Sequence, residues 1–146
     1  MKNDLLRRVP FLMHRVVSAT VAAAIRGERA GEFNIHGARV MVALLNDPGM
    51  SVGELCELTR FDQTNMSHLL RRLLRQGVLT KSRSPADNRV VEVRLTPAGE
   101  ELAKEFHERG VRHEKILLRG FNAAEAKMLR SFLNRMFANV ADGSFD

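Results

Sequence analysis

The stretch whose reading decides the fold runs from residue 62 to residue 94, DQTNMSHLLRRLLRQGVLTKSRSPADNRVVEVR. Met66, Leu69, Leu70, Leu73 and Leu74 recur at i, i+3, i+4, i+7 and i+8, the apolar stripe of one α-helix. Thr64, Ser67, His68, Arg71 and Arg75 fall on the side facing away, and all can hydrogen-bond. Asp62 suits an N-cap ahead of this helix and Gly77 a C-terminal stop behind it. Two short strands then flank a turn, Ser84-Pro85-Ala86-Asp87-Asn88, that ends at Arg89. A helix with an apolar back and a polar, cationic outer face, followed by a cationic hairpin, suits a nucleic-acid groove and its phosphates.

The charge is concentrated in the same place. The chain of 146 residues carries 23 Lys and Arg against 17 Asp and Glu, a formal net charge of +6. Between Arg60 and Arg94 stand eight basic residues (Arg60, Arg71, Arg72, Arg75, Lys81, Arg83, Arg89 and Arg94) and three acids (Asp62, Asp87 and Glu92). The polyanion-facing surface is therefore predicted to be local. A solvated basic face is the plainer alternative. With 45% hydrophobic residues, a chain of this length can bury one core and is read as a single domain, 1–146. Its one cysteine, Cys56, cannot close an internal disulfide. No secretory leader is evident, and the apolar run from Val16 to Ile25 is too short and interrupted to span a bilayer. A soluble, cytoplasmic protein with no membrane association is expected.

Outward from the central stretch, residues 9–27 read as a long helix, with Pro10 tolerable in its first turn and a break near Gly27 to Gly31. A second helix is predicted from Ile35 to Leu45, ending at the turn Asn46-Asp47-Pro48-Gly49. Ser51 and Glu54 form a capping box that opens a short helix bearing Leu55 and Leu58, and Thr59 to Phe61 turn into the next. In the second hairpin strand, Val91, Val93 and Leu95 alternate with Glu92 and Arg94, a half-buried pattern. Thr96-Pro97 starts a helix reaching about Arg119, and Asn122, with Glu125 three residues on, caps a last helix striped by Leu129, Phe132, Leu133, Met136, Phe137 and Val140. The first and last helices carry wide apolar faces outside the central unit. They are expected to be buried in a symmetric dimer, with ordinary intramolecular packing as the alternative.

The stretch from Ser51 through Gly99 resembles the MarR family of bacterial transcription regulators. The family opens its recognition helix with Asp-Gln-Ser/Thr, carries Asp-x-Arg in a wing, and ends a strand with Leu-Thr-x-x-Gly. Here these stand as Asp62-Gln63-Thr64, Asp87-Asn88-Arg89 and Leu95-Thr96-Pro97-Ala98-Gly99, in matching order and spacing. The helix pattern on either side extends the likeness to nearly the whole chain. Arg60 departs from it where the family often has glycine, and His68 where a longer basic residue is common. The implied fold is mainly α with a small β-hairpin wing. A winged helix-turn-helix lobe covers about 34–96, flanked by dimerisation helices at about 5–30 and 97–142.

In such a lobe the second helix of the pair enters the major groove by its N-terminal turns. That places Gln63, Thr64, Asn65, Ser67 and His68 at base edges, where Asn and Gln suit adenine and a threonine methyl suits thymine. First-turn polarity alone would also explain Gln63 and Asn65. Arg71 and Arg75 continue the exposed face. Arg72 flanks it and could serve phosphates or an internal carboxylate, and Ser51 joins the set from the preceding helix. Arg89 resembles the wing arginine that enters the minor groove, with Asp87 expected to hold it, or a neighbouring arginine, by a charge-assisted hydrogen bond. Lys81 and Arg83 read as phosphate contacts.

The resemblance further implies a homodimer on double-stranded DNA. It also implies a small, often aromatic or phenolic effector between the dimer helices and the lobe, with Phe11, His14, Arg15, His36 and Arg39 as candidate lining residues. A core stripe is the plainer reading of those five. Catalysis has no support in a phosphate loop, nucleophile elbow or metal-spaced cluster, so neither an enzyme, a cofactor nor a metal is expected. His107 and His113 sit six apart on one helix and turn roughly 240° from each other. Cys56 reads as a buried structural cysteine. The competing class is a winged helix that docks protein, which would want an apolar or acidic face over residues 63–75. The residues and the resemblance together point to a regulator, most simply a repressor on a pseudo-palindromic operator.

Overall fold

The computed structural model describes residues 4–24, 33–141 and 143. A 3-10 turn (Asp4–Arg7) is followed by α1 (Val9–Ala24), α2 (Ile35–Asn46), β1 (Met50–Ser51), α3 (Val52–Thr59), α4 (Gln63–Arg75), β2 (Leu79–Arg83), β3 (Val91–Leu95), α5 (Pro97–Leu117) and α6 (Ala123–Val140). The first helix is described to Ala24; the rest of its predicted span and the break at Gly27 to Gly31 lie outside the described residues. Otherwise the predicted helix ends agree to within two residues. No helix among the described residues is long and apolar enough to cross a membrane.

Helix starts follow from side-chain acceptors. Asn34 Oδ1 takes the Gly37 N–H at 2.9 Å, and Asp62 Oδ1 takes the Asn65 N–H at 2.9 Å. Ser51 and Glu54 close the predicted capping box, as do Asn122 and Glu125. The stop at Gly77 has an equally local cause. With φ at +71°, Gly77 donates to the Leu74 carbonyl and Val78 to that of Leu73, which is the Schellman closure.

The sheet is antiparallel, ordered β1-β3-β2, with Leu79 opposite Leu95, Lys81 opposite Val93 and Arg83 opposite Val91. Sequence patterning predicts only the hairpin; β1, pairing Met50 with Val93 and Ser51 with Glu92, is an addition. The alternation expected in β3 is partial, since Val93 is buried but Val91 is exposed.

The chain divides into two compact units, Met1–Arg109 and Gly110–Asp146, with the division inside α5. The first holds the core, where Val40, Met41, Leu44, Leu55, Met66, Leu70, Leu73 and Val93 are the largest fully buried side chains. Burying each contributes on the order of 1.5–3 kcal/mol. Leu58, the other leucine of α3, is 60% exposed. In the second unit, Arg130 Nη2 donates to Glu114 Oε1 at 2.9 Å, tying α6 to the last turns of α5.

Candidate nucleic-acid interface

The apolar back of α4 fixes what its front can offer. Met66, Leu69, Leu70 and Leu73 are buried, so Gln63, Thr64, Asn65, Ser67, His68, Arg71 and Arg75 stand exposed. Their hydrogen-bonding capacity is not equally free. The Asn65 amide donates to Asp62 Oδ2, so that side chain is committed to the cap. These bonds from Asn65, backbone first, hold the Asp62 carboxyl below its ordinary range. Ser51 likewise spends its hydroxyl oxygen on the Glu54 N–H, at 3.2 Å.

Arg72 sits differently. It is half-buried, and its Nε and Nη2 are closed off from solvent with no hydrogen-bond partner in the protein. No internal carboxylate meets those two donors, so the second of the two roles allowed for Arg72 is not met at Nε and Nη2. Its spacing carries the signal, because a residue three after Leu69 and one before Leu73 lies at the edge of the apolar stripe.

The turn into α4 is shaped by Arg60, the one non-glycine at positive φ among the described residues, at +54°. Glycine adopts this conformation freely, and an L side chain there costs roughly 1–2 kcal/mol. The departure at Arg60 is therefore a left-handed position taken without glycine. Phe61, next to it, lies stacked on His36, with centroids 4.2 Å apart and planes at 12°.

In the wing, Lys81, Arg83, Asp87 and Arg89 are all exposed. Arg83 Nη1 donates to the Asn88 carbonyl at 2.9 Å, so it braces the loop as well as facing solvent. Asp87 accepts from the Arg89 main-chain N–H at 2.9 Å, not from its guanidinium as expected. At the base of the wing, Glu92 is held low in pKa by the Ser84 hydroxyl and by Arg94, whose Nη2 lies 2.6 Å from Glu92 Oε2.

The five proposed effector residues are not assembled by the chain. Phe11 is half-buried on α1, while His14 and Arg15 are exposed, with His14 Nε2 3.4 Å from Ser18 Oγ. Among the described residues α1 packs chiefly on the preceding 3-10 turn, and no extensive α1–α2 packing joins these three to His36 and Arg39. His36 instead faces Phe61, and Arg39 is exposed. A cavity of about 410 Å³ opens between Phe33, Gln76, Val78 and Leu102, rimmed by Glu101 and Glu105; none of the five lines it. Among the described residues no three His, Cys, Asp or Glu side chains gather as metal ligands. Cys56 is half-buried, and burial, then Asp62, pushes its thiol pKa up, away from a reactive thiolate.

The motif Leu95-Thr96-Pro97-Ala98-Gly99 has a structural reason. Thr96 Oγ1 donates to the Gly77 carbonyl at 2.8 Å and accepts the Gly99 N–H at 3.0 Å, while Thr96 N–H donates to Val78 O at 3.1 Å. A Cβ on Gly99 would stand 2.0 Å from the Val78 carbonyl oxygen. The N-terminus of α5 is thus docked against the stop of α4, with no room for a side chain.

Comparison with known proteins agrees with this architecture. The sequence profile of the MarR family matches residues 37–89, from α2 through the wing. An uncharacterised HTH-type transcriptional regulator, YdgJ of Bacillus subtilis (strain 168), is 28% identical over 101 residues, 69% of this chain. The match spans 62% of YdgJ, less than two thirds of that relative's length. The crystal structure of the transcriptional regulator SlyA superposes with a TM-score of 0.82 at 18% identity, covering 96% of each chain. Bordetella bronchiseptica BpsR, whose DNA binding is regulated by 6-hydroxynicotinic acid, gives a TM-score of 0.79 at 26% identity, over 88% of this chain and 92% of that one. With a helix-turn-helix, a wing and a strand-to-helix junction, the chain shares the fold of these neighbours over nearly its whole length, and over residues 37–89 it is similar to the MarR family.

Proposed function

We propose that the protein is a homodimeric repressor that reads a pseudo-palindromic DNA operator and releases it when a small effector binds. The observation that carries the reading is the front of α4. Gln63, Thr64, Ser67, His68, Arg71 and Arg75 are exposed on a helix whose back is buried and whose two ends are both capped. Hydrogen-bonding groups held at fixed positions suit base edges, and the arginines further along suit phosphates. The exposed Lys81, Arg83 and Arg89 give the wing the same polarity. A protein-docking face would be apolar or acidic, and this one is neither.

Exposed apolar side chains support the dimer. Val9, Leu12, Met13, Val16 and Val17 of α1 are 40–53% exposed, as are Phe132, Leu133, Phe137 and Val140 of α6 at 40–50%. Faces of this kind are stabilised by burial against a second copy. BpsR supports the effector, since its DNA binding is regulated by a small aromatic acid; the crevice for one in this protein would be completed by the dimer, with Phe11, His14, Arg15 and Arg39 contributing.

The test is selection of duplexes from the source genome by the purified protein, followed by titration of variants. Arg71→Ala should weaken binding, and Thr64→Ala and His68→Ala should change which sequences are preferred, at about 1–3 kcal/mol per lost base contact. Wild-type behaviour in all three would remove α4 as the reading helix. Sedimentation as a monomer at micromolar concentration would remove the dimer.

A further inference from the structure

His36 stands on the first turn of α2, yet its ring lies flat on Phe61, the residue just before the Asp62 cap of α4. Two neighbouring facts make that contact consequential. Arg60, on the other side of Phe61, holds a left-handed backbone that its own side chain disfavours, so surrounding contacts have to maintain the turn. One residue beyond His36, Gly37 lies against α4 directly: a Cβ on it would stand 3.6 Å from a methyl of Leu69 and 3.8 Å from one of Leu73. The first turn of α2 therefore meets α4 along its middle, through Gly37, and just ahead of its start, through Phe61. One contact leaves a helix free to pivot; two separated contacts fix its direction.

We infer that His36 is a positioning residue for α4: stacked on Phe61, it aims the first turns, Gln63 to His68, and so governs sequence preference more than general affinity for DNA. This rests on the DNA-binding reading above. The chemistry suits the role. Burial, then the charge of Arg39, holds the imidazole below its ordinary pKa, so at neutral pH it stacks uncharged beside a turn that already contains Arg60. Base-edge hydrogen bonds demand close aim from short side chains such as Thr64 and Ser67. Long arginines reaching phosphates tolerate a small change of direction, because that attraction is electrostatic and not sequence-bound.

The experiment compares full-length wild type, His36→Ala and His36→Phe on two duplexes of equal length, one selected by the wild type and one scrambled, with thermal unfolding alongside. His36→Ala should lose on the order of tenfold on the selected duplex and keep its affinity for the scrambled one. His36→Phe, which restores a flat ring, should recover most of the preference. Should His36→Ala fail to fold, Phe61→Leu removes the same stack from the other side and must show the same selective loss. Equal loss on both duplexes, an unchanged preference in His36→Ala, or no rescue by phenylalanine overturns the inference. A wild type that does not distinguish duplexes at all overturns the DNA-reading proposal itself, a different result from a discriminating wild type matched by His36→Ala.

Discussion

Asp87 positions Arg89 through the main chain: its Oδ1 accepts the Arg89 N–H at 2.9 Å, and no bond or ion pair joins the two side chains. The wing tip is a turn in which Val90 N–H donates to Asp87 O, Ser84 N–H to Val90 O and the Arg83 guanidinium to Asn88 O. Asp87 thereby shapes the loop that presents Arg89, leaving the guanidinium free for a groove. Asp87→Ala should weaken operator binding even though it deletes a negative charge, whereas Asp87→Asn, which keeps an acceptor oxygen, should bind as well as wild type or better. Arg89→Ala should weaken binding and make the log–log salt slope shallower by up to about two for a dimer with two wings. Titrations at several salt concentrations decide it. Tighter binding by Asp87→Ala would show that charge outweighs turn shape, and an unchanged Arg89→Ala would remove the wing from the interface.

Gly99 is required by space, not by backbone freedom. A Cβ 2.0 Å from Val78 O cannot be accommodated without moving α5 away from the Gly77–Val78 stop, where Thr96 is also bonded. Gly99→Ala should destabilise by at least the 1–3 kcal/mol typical of overpacking, because the obstruction is backbone and cannot rotate aside. Urea denaturation of the pair measures it; a midpoint equal to wild type would mean that the junction is looser than it stands here.

Arg72 should be dispensable for stability. Its Nε and Nη2 have lost water without gaining a partner, a net cost that an apolar chain of similar length avoids. Arg72→Met is expected to raise stability by about 1 kcal/mol, a few degrees in Tm, and to leave operator affinity near wild type. Arg71→Met, from the exposed face, should do the reverse: little change in Tm and weaker binding. A clear fall in Tm for Arg72→Met would mean that the guanidinium has a partner in solution.

These cases also mark how far the sequence can be read. The stripe of α4, the caps at Asp62 and Asn122 and the Thr96-Pro97 start are legible because each is a local pattern with a local cause. β1 is not, since Met50 and Ser51 are too short to alternate and acquire their meaning only opposite Val93 and Glu92. The same holds for His36 and Phe61, which β1 and α3 separate along the chain and only the packing of α2 brings into contact. Arg83 and Asp87 are legible as wing residues, but charge suggests partners outside the protein or between side chains, while the loop's unmet backbone groups claim them first. The candidate effector residues on α1 have least to go on, because an apolar helix face does not say which surface covers it.

The last expectation concerns pH. Burial and Arg39 lower the pKa of His36 in the folded protein below the ordinary value of about 6.5. The unfolded chain then binds a proton more readily than the folded one, so stability rises with pH in this window and is lost as pH falls from about 7 through the ordinary value toward the folded one. Of the charged groups near the ring, Arg39 on its own helix fits that sign by opposing protonation, whereas the Asp62 carboxylate beyond Phe61 would favour it and is outweighed by burial and Arg39. The carboxylates with lowered pKa, Asp62, Glu54 and Glu92, act in a separate range, losing their contribution only as pH falls below about 4.5. Thermal unfolding of wild type between pH 7.5 and 5.5 should therefore show a declining Tm, and His36→Phe, with nothing to titrate at that position, a flatter one. If both proteins lose stability in parallel, His36 is not the group that folding keeps neutral.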